Sequence, residues 1–146
     1  AGDGDNREKI QKIIADNSYL ARKVHLFGNI DKIEIFLTKI DIFIQPSLYE
    51  GFSNTILEAM AMKIPVIASD VGGNSNIVRS RFNGLLFDPL DKKELMQCIL
   101  QYIQNVDFAK KMAENAYEMV KKKYTLTHMV SRYDQLYTQI MGAGKQ

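Results

Sequence analysis

The run Ile42-Phe43-Ile44-Gln45-Pro46-Ser47-Leu48-Tyr49-Glu50-Gly51-Phe52-Ser53-Asn54-Thr55-Ile56-Leu57-Glu58-Ala59-Met60 constrains this chain more than any other stretch, because it reads as a buried strand joined to a helix by a turn set between two carboxylates. Ile42, Phe43 and Ile44 form the short apolar run of a strand covered on both faces, Pro46 ends it, and Gly51 allows a tight reversal. Ser53 or Asn54 then caps a helix. The free N–H groups at such a helix start, with the positive end of its dipole, suit a pyrophosphate. Glu50 stands just before the helix, and Glu58 lies roughly 7 Å further up its axis at ~1.5 Å per residue. A ligand with phosphates at the helix start and hydroxyls on either side meets both carboxylates. A nucleoside diphosphate sugar has that shape, with ribose on one side and hexose on the other.

The rest of the chain alternates between the two element types. A helix is expected from Asn6 to about Asn17, with Ile10, Ile13 and Ile14 on one face, and a strand over Val24–Phe27 closed by Gly28. A short helix from Asp31 carries Ile33, Phe36 and Leu37 and leads to a strand over Asp41–Gln45. The motif helix runs from Ser53 to about Met62. Pro65 opens a strand over Val66–Ser69, Gly72-Gly73 turns the chain, and Asn74 or Ser75 caps a short helix to about Ser80. Asn83-Gly84 is a turn before a strand over Leu85–Phe87. Asp91 and Glu94 have capping-box spacing ahead of a helix carrying Leu95, Cys98, Ile99 and Tyr102. Asp107, then Thr125 or Thr127, start the last two helices, the second reaching about Met141. Strand alternating with helix predicts an α/β fold, a Rossmann-like parallel sheet with helices on both faces, whose ligands bind beyond the carboxyl ends of the strands.

The stretch from Pro46 to Asn74 resembles the donor-binding core of the retaining glycosyltransferases of family four, also called glycosyl transferases group 1. The resemblance is carried by an order of features: strand, Pro46-Ser47, Glu50-Gly51-Phe52, Glu58-Ala59, then Pro65-Val66-Ile67-Ala68-Ser69 and Gly72-Gly73. It extends from Gly2-Asp3-Gly4, similar to that family's Gly-rich loop, to the closing helices. It implies the C-terminal half of a two-domain GT-B fold, truncated at its N-terminus, with residues 1–141 as the nucleotide-sugar (donor) binding domain and residues 142–146 as a disordered tail. By resemblance Glu58 accepts hydrogen bonds from the ribose, and Glu50 faces the donor sugar near the reacting carbon as the catalytic carboxylate. Gly51, Phe52, Ser53, Asn54 and Thr55 offer backbone N–H groups and hydroxyls to the diphosphate. Gly28 and Asn29 lie where family members place the nucleobase.

The implied reaction transfers a sugar with retention from a nucleoside diphosphate donor to a saccharide or lipid-linked acceptor, as in polysaccharide or glycolipid biosynthesis. The alternatives are a sugar-nucleotide epimerase of the same architecture and a non-catalytic nucleotide-binding α/β module. Asp3-Gly4-Asp5 formally matches a metal-binding Asp-x-Asp pattern, but it merges with a loop opening a helix, and further oxygen ligands are not identifiable. No metal and no cofactor are expected, the donor being a substrate. Two departures stand out. Asn74-Ser75-Asn76 replaces the family's usual Pro-Glu, and the chain begins Ala1-Gly2-Asp3 without Met, inside the motif. It is therefore read as a fragment, inactive and poorly stable alone, whose chief partner is a missing N-terminal acceptor domain of the same protein.

Composition narrows the remaining classes. The 146 residues, 46% hydrophobic and 25% charged, suit one globular domain. Lone Cys98 excludes an internal disulfide, and with no apolar run of about 18 residues the expectation is a cytoplasmic setting. Lys110-Lys111 and Lys121-Lys122-Lys123 admit peripheral contact at the inner membrane surface, although lysines on a helix usually form a solvated face. No basic stripe with interleaved aromatics points to nucleic acid. His25 and His128 lack partners for nucleophilic chemistry and are assigned structural roles, and Cys98 is assigned to the core.

Overall fold

The computed structural model describes residues 1–143, which divide into two compact units, one over Ala1–Thr38 and one from Lys39 onward. In the first unit, α1 (Arg7–Ala15) has Glu8 in its first turn and Lys12 in its last, charges that complement its dipole. Ile10 and Ile13 stay 42% and 52% exposed. Asn17 does more than end this helix. Its Oδ1 accepts from Tyr19 N at 3.0 Å and Leu20 N at 3.1 Å, which caps a further helix, α2 (Ser18–Lys23), where sequence pattern gives none.

The expected strand over Val24–Phe27 does not form. Val24 is the extended C-cap of α2, and the segment's pairing is confined to an isolated antiparallel bridge in which Gly2 N donates to Gly28 O at 2.6 Å. A strand exists only through a ladder, and here the ladder is one rung. Phe27 instead packs edge-on against Phe36 of α3 (Ile33–Leu37), ring centroids 5.2 Å apart.

The second unit is built on three parallel strands, β1 (Phe43–Gln45), β2 (Val66–Ser69) and β3 (Leu85–Phe87), in the order β1-β2-β3. Ile44, Ile67 and Leu85 lie in register across the sheet. With Phe87 they present one face to Cys98 and Tyr102 of α6 (Lys92–Gln104) and to Ala109 and Met112 of α7 (Val106–Lys123). Burial without a charged partner pushes the Cys98 thiol up from its ordinary value, with nearby Glu94 adding to it. The Tyr102 hydroxyl donates to Val66 O at 3.1 Å, pinning α6 to β2. α4 (Asn54–Ala61) packs on β1 and β2 through buried Ile56, Ala59 and Met60, and also meets α7. The fold is thus an α/β parallel sheet layered with helices.

Side-chain caps decide several boundaries. α5 (Asn74–Ile77) is shorter than expected because fully buried Asn83 takes over its exit: Nδ2 donates to Ile77 O at 3.0 Å and Oδ1 accepts Arg79 N at 2.6 Å. Its N-cap position is Gly73, not Asn74 or Ser75; the Asn74 side chain donates to Ser69 O at 3.1 Å, and Ser75 bonds Asp70. Asp91 caps α6 as expected, but Glu94 accepts from Asp88 N at 2.6 Å instead of completing a reciprocal box. Asn105, not Asp107, starts α7: it is the C-cap of α6, and its Oδ1 accepts Phe108 N at 2.9 Å. Thr125 Oγ1 accepts His128 N at 3.2 Å at the start of α8 (Leu126–Ala143). Gly142 and Ala143 belong to that helix rather than to a disordered tail, and residues 144–146 lie outside the described residues.

Candidate functional site

Parallel strands bring their carboxyl ends to one edge of the sheet, and Gln45 and Ser69 stand there on neighbouring strands. Ser69 Oγ donates to Ser47 O at 2.6 Å, which fixes the chain as it leaves β1. The loop then folds back on its own strand. Gln45 Nε2 donates to Glu50 Oε2 at 2.6 Å, and Gln45 Oε1 accepts from the Ser53 and Thr55 hydroxyls at 2.9 Å each. Ser53, 2% exposed, also accepts Ile56 N at 3.3 Å and so caps α4 as the sequence predicts.

A second loop holds the first from behind. Gly73 N donates to Glu50 O at 2.9 Å. A Cβ on Gly72, which also has φ +44°, would overlap that same oxygen, and one on Gly73 would overlap Gly51 O. Backbone passes against backbone here, and only glycine leaves the room. Asn74, fully buried, leaves its Oδ1 without a hydrogen-bond partner among the described residues.

The structure brings Glu50, Gly51, Phe52, Ser53, Asn54, Thr55 and Glu58 together around the start of α4, with distinct dispositions. Glu50 is half-buried and Glu58 is half-buried one turn up the helix, with no side-chain hydrogen bond among the described residues. Gly51, Phe52, Asn54 and Thr55 are exposed. Gly51 stands at a bend of the chain, but without a positive φ and with nothing within 4 Å of an added Cβ, so the bend does not require glycine. Among the described residues the N–H groups of Asn54 and Thr55 make no hydrogen bond. They are the free donors of the helix start. The Ser53 hydroxyl, by contrast, is spent on Gln45 and the cap and faces inward. Gly28 (φ +67°) and Asn29 belong to the first unit, where Gly28 O receives Gly2 N.

A groove of about 900 Å³ opens beside this helix start, between Phe52, Asn54 and Leu57 and the side chains of Tyr124, Met129 and Tyr133. Phe52 and Tyr124 both line it, with their ring centroids 6.1 Å apart. Asp3 pairs with Arg7 at 3.2 Å, and among the described residues no three His, Cys, Asp or Glu side chains converge on one point. Cys98 is in the core as expected, whereas His25 lies on an exposed loop outside any strand. Sequence reasoning passed over Gln45. Its signal was there: an amide closing an apolar strand at the edge where parallel sheets bind ligands.

This geometry has close counterparts. Residues 1–119 match the family described as glycosyl transferases group 1. The uncharacterized glycosyltransferase MJ1178 of Methanocaldococcus jannaschii is 35% identical over 123 residues, which cover 83% of this chain and 34% of that protein. The sucrose-phosphate synthase of Thermosynechococcus elongatus superposes with a TM-score of 0.84 at 30% identity, covering 98% of this chain and 36% of that one. A mutant of S. aureus TarM, solved in complex with fondaparinux, alpha-GlcNAc-glycerol and UDP, superposes with a TM-score of 0.82 at 29% identity, covering 92% of this chain and 27% of that one. The chain belongs to the glycosyl transferases group 1 family, with the GT-B fold of its structural relatives. It spans about a third of the length of the curated relatives it matches, 34% in the case of MJ1178.

Among the described residues no helix is long and apolar enough to cross a membrane. The Lys121-Lys122-Lys123 cluster forms the last turn of α7, where cations complement the negative end of the helix dipole.

Proposed function

We propose that residues 1–141 form the donor-binding half of a retaining glycosyltransferase that takes a nucleoside diphosphate sugar. The observation that carries this is the placement of Glu50 and Glu58 on either side of the free Asn54 and Thr55 N–H groups at the start of α4. The diphosphate lies on those donors. Glu58 accepts from the ribose hydroxyls and Glu50 from the sugar. UDP in the related TarM structure supports a nucleotide at this fold.

As the bond from the anomeric carbon to the diphosphate breaks, its electron pair goes to the departing oxygen, and the fixed N–H donors stabilise that charge as it grows. The acceptor hydroxyl attacks from the side the diphosphate leaves and gives its proton to the departing phosphate oxygen, which yields retention. In this reading a saccharide or lipid-linked acceptor is held by an N-terminal domain of the same protein, no metal takes part, and the chain alone has half a site and no transferase activity.

The test is to incubate the full-length protein with a panel of nucleotide sugars and acceptors and follow donor consumption, with calorimetry for the matching nucleoside diphosphate. Donor consumption with retained anomeric configuration, together with nucleoside diphosphate binding weakened in Glu58→Ala, supports the reading. Failure of every nucleoside diphosphate to bind overturns it.

A further inference from the structure

Gln45 joins the two halves of the site. Its carboxamide lies between the Glu50 carboxylate at 2.6 Å and the Ser53 and Thr55 hydroxyls at 2.9 Å each. The orientation of the amide is dictated by chemistry, since an ionised carboxylate only accepts; the NH₂ must face Glu50, which turns the carbonyl oxygen to the hydroxyls. Glu50 Oε2 takes both this bond and a longer one from Ser47 Oγ at 3.4 Å. Its Oε1 makes no hydrogen bond among the described residues and is the oxygen left for a ligand.

Gln45 is also the last residue of β1, paired with Ala68 in the sheet, whereas Glu50 sits on a loop with no secondary structure of its own. A loop carboxylate is thereby referenced to a rigid element, the arrangement that keeps a functional group in one direction.

We infer that Gln45 is a positioning residue for sugar transfer: it holds Glu50 by Oε2 so that Oε1 points to the donor sugar, and ties that direction to the hydroxyls at the start of α4. The inference rests on the donor-binding role proposed for Glu50. Gln45 itself touches no reacting atom. It acts through Glu50, so its effect must vanish when Glu50 is absent.

The experiment uses the full-length protein and its transfer assay. Gln45→Leu keeps the bulk and removes both sets of hydrogen bonds; kcat is expected to fall about ten- to a hundredfold, with nucleoside diphosphate affinity changed less than about twofold. In a Glu50→Ala background the same substitution should change kcat by less than about twofold, because no carboxylate remains to be aimed. Gln45→Glu sets a second carboxylate against that of residue 50, so the pair holds one proton more tightly and the acidic limb of the pH–rate profile moves upward. A space-filling role would not move that limb. Should Gln45→Leu fail to fold, Gln45→Glu carries the test alone.

Fully additive losses in the double variant, or an unmoved acidic limb in Gln45→Glu, overturn the inference while leaving the donor site intact. Full turnover in Glu50→Ala alone overturns the role of Glu50 beneath it and the inference with it.

Discussion

Gly73 donates its N–H to the carbonyl oxygen of Glu50 at 2.9 Å, so the turn after β2 fixes the backbone of the loop after β1. The contact is possible only without a side chain at Gly73, since a Cβ there would overlap Gly51 O. Gly73→Ala must therefore push the loop away from the sheet edge. Overpacking of this kind costs about 1–3 kcal/mol, and the shift displaces Glu50 and the start of α4 together. The variant is expected to melt lower and to lose turnover in the full-length protein; an unchanged melt and unchanged turnover would show that the loop yields freely.

The two carboxylates should separate in their effects. With Glu58 on the ribose, Glu58→Ala weakens nucleoside diphosphate and donor binding alike by roughly 1.5–3 kcal/mol, or about 10- to 100-fold. With Glu50 on the sugar, Glu50→Ala leaves nucleoside diphosphate binding nearly unchanged and lowers turnover. Calorimetry and a transfer assay on both variants check this, and equal loss of nucleotide affinity in the two would contradict the assignment.

The bond from the Tyr102 hydroxyl to Val66 O predicts that Tyr102→Phe costs about 1 kcal/mol of stability, read from denaturant unfolding. It also predicts a pH dependence. Burial pushes Tyr102 well above the ordinary phenol range, with the neighbouring Cys98 adding to it, and burial raises Cys98 as well. The folded state therefore holds these protons more tightly than the unfolded one, so this contribution is complete below the ordinary thiol range and is lost as pH climbs through it. Stability should decline as pH rises through the ordinary thiol range and then through the ordinary phenol range, and the second decline should be absent in Tyr102→Phe.

α4 ends in a Schellman turn: Lys63 N donates to Met60 O at 3.1 Å and Ile64 N to Ala59 O at 3.0 Å. The left-handed position is held by Lys63, φ +57°, where glycine carries no Cβ penalty. Lys63→Gly is expected to raise the melting temperature despite losing the exposed pair with Glu114 at 3.0 Å, and Lys63→Val to lower it. A lower midpoint for Lys63→Gly would mean that the pair outweighs the backbone strain.

Local chemistry was legible where punctuation was strong. Pro65 and Asn83-Gly84 bracket the apolar runs of β2 and β3, and both strands have the bounds read from the chain. Ser53 was legible as a cap because its role depends on residues within one turn. Val24–Phe27 was misread because an apolar run becomes a strand only when another strand is beside it. Gln45 was missed for a related reason: its bond to Glu50 exists only after the loop has turned back on β1. Asn105 was overlooked in favour of Asp107 because α6 and α7 are separated by one residue, and the pattern of apolar positions does not show so short a corner.

That corner has a price in length rather than in composition. Asn105 closes one helix and opens the next, so no slack exists between α6 and α7. One inserted residue would turn α7 by roughly 100° about its axis, at ~3.6 residues per turn, and swing Ala109, Met112, Ala113 and Ala116 off the core together. The corner between α6 and α7 therefore works as a fixed angular setting: a substitution there alters a cap, whereas an insertion alters which face of α7 meets the sheet.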